Sequence, residues 1–119
     1  MDEYDEHAEL DRYVWDYHSG LFTELELQVR RAHHAELKAS DASEPMARML
    51  RERFGAQGDR DVMRALADGW ATFQSVARAR VMRDHPDTVV VNRCPDCGRV
   101  VKTPKARQCM WCGCDWHRE

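Results

Sequence analysis

Apolar residues recur at helical spacing from the start of the chain to about His85 and change period beyond it, which predicts a helical segment followed by a short extended one. Over residues 5–18, Leu10, Val14, Tyr17 and Leu21 share one helical face, with Glu and Asp on the other. Ser19-Gly20 interrupts this helix. Thr23 followed by Glu26 reads as a capping box for a second helix, running to about Lys38, with Phe22, Leu25, Val29 and Ala32 inward. Ser43-Glu44-Pro45 supplies an N-cap, a first-turn acid and a proline whose missing N–H does no harm there. The third helix it opens has a predicted buried stripe of Met46, Met49, Leu50 and Phe54, with Gly55 and Gly58 as a left-handed stop. Asp59 caps a fourth helix through Val62 and Leu66. Asp68-Gly69 breaks the chain before a fifth carrying Trp70, Phe73, Val76, Ala77 and Val81. Pro86 ends that helix at His85.

The β-branched run Thr88-Val89-Val90-Val91-Asn92 and the segment Arg99-Val100-Val101-Lys102-Thr103 predict two strands on either side of Cys94-Pro95-Asp96-Cys97-Gly98. A second pair, Cys109-Met110-Trp111-Cys112-Gly113, follows after eleven residues, room for a strand, a turn at Pro104 and a return. In a Cys-x-x-Cys turn two sulfurs grip one ion while backbone N–H groups point at them, and the glycine after the second Cys takes up positive φ. The two pairs together predict one zinc ion held by Cys94, Cys97, Cys109 and Cys112. Four thiolates leave no open coordination position, so the predicted ion is structural and not catalytic. Zinc affinities of about 10–16 kcal/mol, seen where ligation and folding are coupled, would decide whether so short a segment folds. Cys114 and His117 are alternative donors for the fourth position, and a redox role for one Cys-x-x-Cys competes less well because two matched copies are present.

The run from Asn92 to His117 resembles the C-terminal zinc ribbon of small uncharacterised bacterial proteins that place a helical segment before a Cys-Pro-x-Cys-Gly…Thr-Pro…Gln-Cys-x-x-Cys-Gly ending. The resemblance covers about a fifth of the chain. It implies a zinc-ribbon fold and a bacterial source, and carries no activity. In that group a histidine stands where this chain has Cys114. The expected architecture is α+β, mainly α: a bundle of four or five short helices over residues 1–87, then a small β zinc ribbon over residues 88–119. No internal repeat or low-complexity segment stands out.

Composition narrows the class. With 119 residues, 43% hydrophobic and 33% charged, the chain has neither the signature of disorder nor an apolar run able to span a bilayer. Its acidic start, Met1-Asp2-Glu3-Tyr4-Asp5-Glu6, is unlike a secretory signal, and the expected address is cytoplasmic. Five cysteines confined to positions 94–114 suit metal ligation better than a disulfide frame.

Residues 93–119 carry six Arg or Lys against three Asp or Glu, a net +3 that leaves −6 for residues 1–92. One zinc with four thiolates brings the basic end down to about +1. Arg93, Arg99, Lys102, Lys105 and Arg107 with Trp111 form a candidate nucleic-acid or partner contact, weakened by that modest charge. Asp2, Glu3, Asp5, Glu6, Glu9, Asp11 and Asp16 form an acidic face suited to a basic protein or simply to solvent. Adjacent His33 and His34 match no hydrolase spacing. No phosphate loop, nucleophile elbow or carboxylate pair stands out. The functional expectation is therefore a non-enzymatic, zinc-binding protein–protein interaction module, an adaptor or an immunity-type inhibitor of a basic toxin. A nucleic-acid-binding regulator using the ribbon's basic hairpin is the alternative.

Overall fold

A computed structural model describes residues 3–55 and 59–117. Five α-helices occur among them: α1 (Glu6–Tyr17), α2 (Glu24–Ser40), α3 (Glu44–Phe54), α4 (Arg60–Ala65) and α5 (Trp70–Asp84), with a 3-10 turn at Ser19–Leu21. The local signals explain most boundaries. Asp5 caps α1 by accepting from the Ala8 N–H, and Thr23 and Glu26 close the full capping box of α2 at 3.1 and 2.7 Å. The Asp59 carboxylate caps α4 by accepting from the N–H groups of Asp61 and Val62. Gly69, at φ +90°, makes the predicted break before α5.

Other local expectations are corrected. Ser43 precedes α3 without a side-chain cap. Gly55 is not left-handed: its φ is −73°, and glycine suits the position because a Cβ there would lie 2.4 Å from the Arg51 carbonyl oxygen. Gly58 lies outside the described residues. The predicted stripe of α3 is not buried. Met46, Met49 and Phe54 are each more than 40% exposed, and Ala47 is the helix's buried residue. Tyr17, Leu25 and Val76 are likewise exposed.

Among the described residues there is no sheet. The predicted strands are replaced by two isolated antiparallel bridges, Arg93 with Val100 and Gln108 with Asp115. The cause lies at Tyr13, fully buried on α1, whose hydroxyl donates to the Val90 carbonyl and accepts from the Asn92 N–H, each at 3.2 Å. A side chain thus satisfies backbone groups that a neighbouring strand would otherwise pair. The segment still alternates as extended chain does, with Val89 buried and Val90 69% exposed.

Compactness divides the chain differently from the boundary expected near residue 87. Described residues within Met1–Leu21 and Arg78–Glu119 form one unit, and those within Phe22–Ala77 another. The first unit buries Leu10, Tyr13, Val14 and Trp15 of α1, Val81 of α5, and Val89, Val100 and Val101 of the tail. It also buries an ion pair: Arg78 Nε donates to an Asp11 carboxylate oxygen at 2.9 Å, and a second guanidinium nitrogen lies 3.3 Å from His7 Nδ1. Asp11, expected on the acidic face, is therefore interior. In the second unit Val29, Ala32 and Val62 form a core that Leu66, Trp70 and Phe73 cover. There His33 stacks on Trp70, centroids 4.8 Å apart and planes 14° apart. Partial burial, then the neighbouring His34, lowers the pKa of His33. Among the described residues no helix is long and apolar enough to cross a membrane.

Candidate metal centre

Each cysteine pair sits on the same backbone turn, repeated fifteen residues apart. In the first, the Cys94 sulfur accepts from the N–H groups of Asp96 and Cys97 at 3.4 and 3.5 Å. In the second, the Cys109 sulfur accepts from Trp111 and Cys112 at the same distances. Gly98 and Gly113 close the turns on the Cys94 and Cys109 carbonyls at φ +78° and +81°, where only glycine is unstrained. Cys94 and Cys109 donate to the carbonyls of Arg99 and Cys114, and Val101 and Trp116 to those of Asn92 and Arg107. The backbone is thus an internal repeat that the sequence conceals, because only Cys-x-x-Cys-Gly is shared between its copies.

The repeat brings the four sulfurs of Cys94, Cys97, Cys109 and Cys112 within 4.8 Å of one another, close enough to hold a metal ion. Two of the separations cross between the turns, 3.6 Å for Cys94 with Cys112 and 3.7 Å for Cys97 with Cys109. Among the described residues no other group of three or more His, Cys, Asp or Glu side chains has such spacing. Cys94 and Cys109 are buried, while Cys97 and Cys112 are exposed. This order follows from the turn, which points its first sulfur inward at the backbone N–H groups.

The electrostatics call for a cation. Burial opposes ionisation of Cys94, but the N–H groups of Cys97 and Asp96 and the neighbouring thiols outweigh it and bring its pKa down to about 6. At Cys112 the Cys114 N–H favours the thiolate, yet burial and the adjacent sulfurs push the thiol up to about 12. Without a positive charge at the centre, four thiolates cannot coexist near neutral pH. An ion that gathers all four must displace protons, and its affinity falls as pH falls.

Cys114 and His117 stand apart from the set. Cys114 packs beside Cys94, Val101 and Cys109, where burial, then the charge on Cys94, raises its pKa. His117 turns to Asp115: its N–H donates to that carboxylate at 2.9 Å, and its ring nitrogen meets the same oxygen. Accordingly, Cys114→Ser is expected to retain a full equivalent of metal by elemental analysis, and Cys109→Ser to lose it. The reverse pattern would move the fourth ligand to Cys114.

The candidate contact residues divide into separate groups. The Arg99 guanidinium lies over the Tyr4 ring, 5.5 Å from its centroid, and Trp111 meets the same ring edge-to-face at 5.0 Å. Lys102 offers its carbonyl to Arg12. Lys105 and Arg107 line a cleft together with Trp116.

Sequence reasoning missed the residues that fasten the centre to α1. The Tyr4 hydroxyl accepts from the Val100 N–H at 2.9 Å and donates to Glu6. Glu6 in turn takes both ends of the Arg93 guanidinium at 2.7 and 3.1 Å. Asn92 donates to the carbonyls of Thr103 and Ala106. None of these carries a sequence signature, since each depends on positions distant along the chain. The hydrogen bonds from Arg93, then that from Tyr4, hold the Glu6 carboxyl down at about 2. A depressed carboxyl contributes stability that is present above its unfolded value of about 4.3 and lost as pH falls through the folded one. Because both partners are about 40% exposed, Glu6→Gln costs under about 1 kcal/mol at pH 7. That cost is expected to hold from pH 7 to pH 5 in thermal melts and to fade between about pH 5 and pH 2, and a cost unchanged down to pH 2 would place the folded carboxyl at its ordinary value.

No protein-family model matches this chain, and neither a curated protein nor a solved structure matches it.

Proposed function

We propose that the protein is a non-catalytic binding module whose first unit is held together by one structural zinc ion. The donor set carries this reading. Zinc takes four thiolates at about 2.3 Å in a tetrahedron, which requires sulfur–sulfur edges of about 3.8 Å. The two crossing separations of 3.6 and 3.7 Å approach that edge. Four sulfurs fill the coordination sphere and leave no place for water, so the ion's role is to fix the turns and, through Tyr4, Tyr13 and Arg12, the tail against α1. The residues present fit the ion, and its chemistry is that of a staple.

The partner we propose is a protein. Carboxylates of the acidic N-terminal face are largely taken up within the chain: Asp5 caps α1, Glu6 binds Arg93, Glu9 binds Arg12 and Asp11 binds Arg78. Support for a protein partner therefore comes from the second unit, where Leu37, Met46, Met49 and Phe54 stand exposed on α2 and α3. Methionine-rich apolar surfaces adapt readily to partners. Affinity purification from the native host is expected to bring down a stoichiometric partner with the wild-type chain and not with Met46→Lys, Met49→Lys, Phe54→Lys. Isolation of the wild-type chain alone would overturn the partner reading and leave the metal reading intact.

A further inference from the structure

We propose that the loop over residues 103–107 carries a site for single-stranded nucleic acid, with one base on Tyr17, the next on Trp116 and the phosphate between them at Lys105. Two adjoining clefts of the first unit point to it. One, of about 410 Å³, is lined by Asn92, Pro104, Lys105, Ala106, Arg107 and Trp116. The other, of about 230 Å³, is lined by Tyr17, Thr103, Pro104 and Lys105. They share Pro104 and Lys105 and so adjoin in one strip, with Tyr17 lining one cleft and Trp116 the other. Tyr17 is 44% exposed, although its helical position marks it for a core, and Trp116 is half-buried at the edge of the metal centre.

The loop is already ordered to receive a ligand. Asn92 Nδ2 holds the Thr103 and Ala106 carbonyls at 2.9 and 2.8 Å, Arg12 holds the Lys102 carbonyl at 2.9 Å, and the Ala106 N–H closes back on Thr103. A pre-ordered loop loses less entropy on binding. Lys105 and Arg107 are exposed, and neither forms an ion pair among the described residues. Aromatic rings alternating with cations match the base–phosphate–base repeat of a single strand, which stacks without regard to sequence. An acidic peptide would satisfy the cations but not both rings, and a mononucleotide would fill one end of the strip. The site differs from the hairpin contact expected from sequence, because Arg99 and Trp111 are engaged with Tyr4. It does not depend on the protein-partner reading.

The test is fluorescence anisotropy of a labelled oligothymidylate with the metal-loaded protein at low salt. The phosphate at Lys105 and the next one along the strand at Arg107 predict that log affinity falls with log salt at a slope of about −1.4. Lys105→Glu with Arg107→Glu weakens binding roughly tenfold or more. Tyr17→Leu weakens it roughly fivefold or more through lost stacking. Lys38→Glu with Arg48→Glu, the same charge change at exposed positions of the second unit, leaves affinity within about twofold if the site is local. Absence of binding at low salt, equal losses in the two charge-reversal pairs, or displacement by polyglutamate as effective as by unlabelled oligonucleotide would each overturn the proposal. Metal content and melting temperature are measured for every variant. Should Tyr17→Leu misfold, the exposed Lys105 and Arg107 pair still decides the matter.

Discussion

Cys94→Ser is expected to abolish metal binding and to unfold the tail from about residue 92 onward, the largest effect of any single substitution in this chain. Among the described residues the tail has little regular pairing of its own: two isolated bridges instead of a sheet, and a buried cluster of Cys94, Val101 and Cys109. Each residue fixed in one backbone conformation costs about 1–2 kcal/mol, so a segment this poor in regular hydrogen bonding would depend on the proposed ion. Metal ligation in small zinc folds is worth about 10–16 kcal/mol, as much as the whole stability of an ordinary domain, about 5–15 kcal/mol.

The loss should spread to α1, because Tyr13 and Arg12 bond the backbone at Val90, Asn92 and Lys102. Amide hydrogen exchange checks this. Protection at Gly98, Val101, Cys109, Gly113 and Trp116 is expected to vanish in Cys94→Ser, and in the wild type treated with a strong chelator, while α2 and α4 of the second unit keep theirs. A Cys94→Ser protein with undiminished protection at those five amides would mean that packing, and not metal, holds the tail.

The second large effect lies in the ion pair between α1 and α5. Asp11→Ala leaves Arg78, 8% exposed, as a buried charge without its carboxylate, a situation that costs about 3–5 kcal/mol. For a domain of this size each kcal/mol shifts the melting temperature by about 4–8 °C, so a fall well above 10 °C is expected. Replacing both partners by apolar residues, Asp11→Leu with Arg78→Met, removes the unpaired charge and should recover most of the loss. Thermal melts of the single and double variants give the comparison. A single-variant loss below about 1 kcal/mol would show that water reaches the pair.

The helices and the four clustered cysteines were legible in the sequence for local reasons. Capping boxes, Asp caps and the Asp-Gly break act within a few residues, and so does Cys-x-x-Cys-Gly, so each could be read without knowing the fold. Interactions between distant positions were not legible. The three valines at 89–91 read as a strand because their β-branched run is local, but the bonds that would have made a sheet are taken by the Tyr13 hydroxyl, more than seventy residues away. Met46, Met49 and Phe54 gave α3 an amphipathic pattern, yet periodicity states only that a face is apolar, not that the chain supplies a cover for it. Asp11 did leave a trace. It falls on the inward arc of Leu10, Val14 and Trp15, and an acid there demands a buried cation.

X-ray absorption at the zinc edge of the isolated protein tests the central claim most directly. The account predicts one zinc per chain surrounded by four sulfur atoms at about 2.3 Å. A first shell containing oxygen or nitrogen, or fewer than four sulfurs, would contradict it.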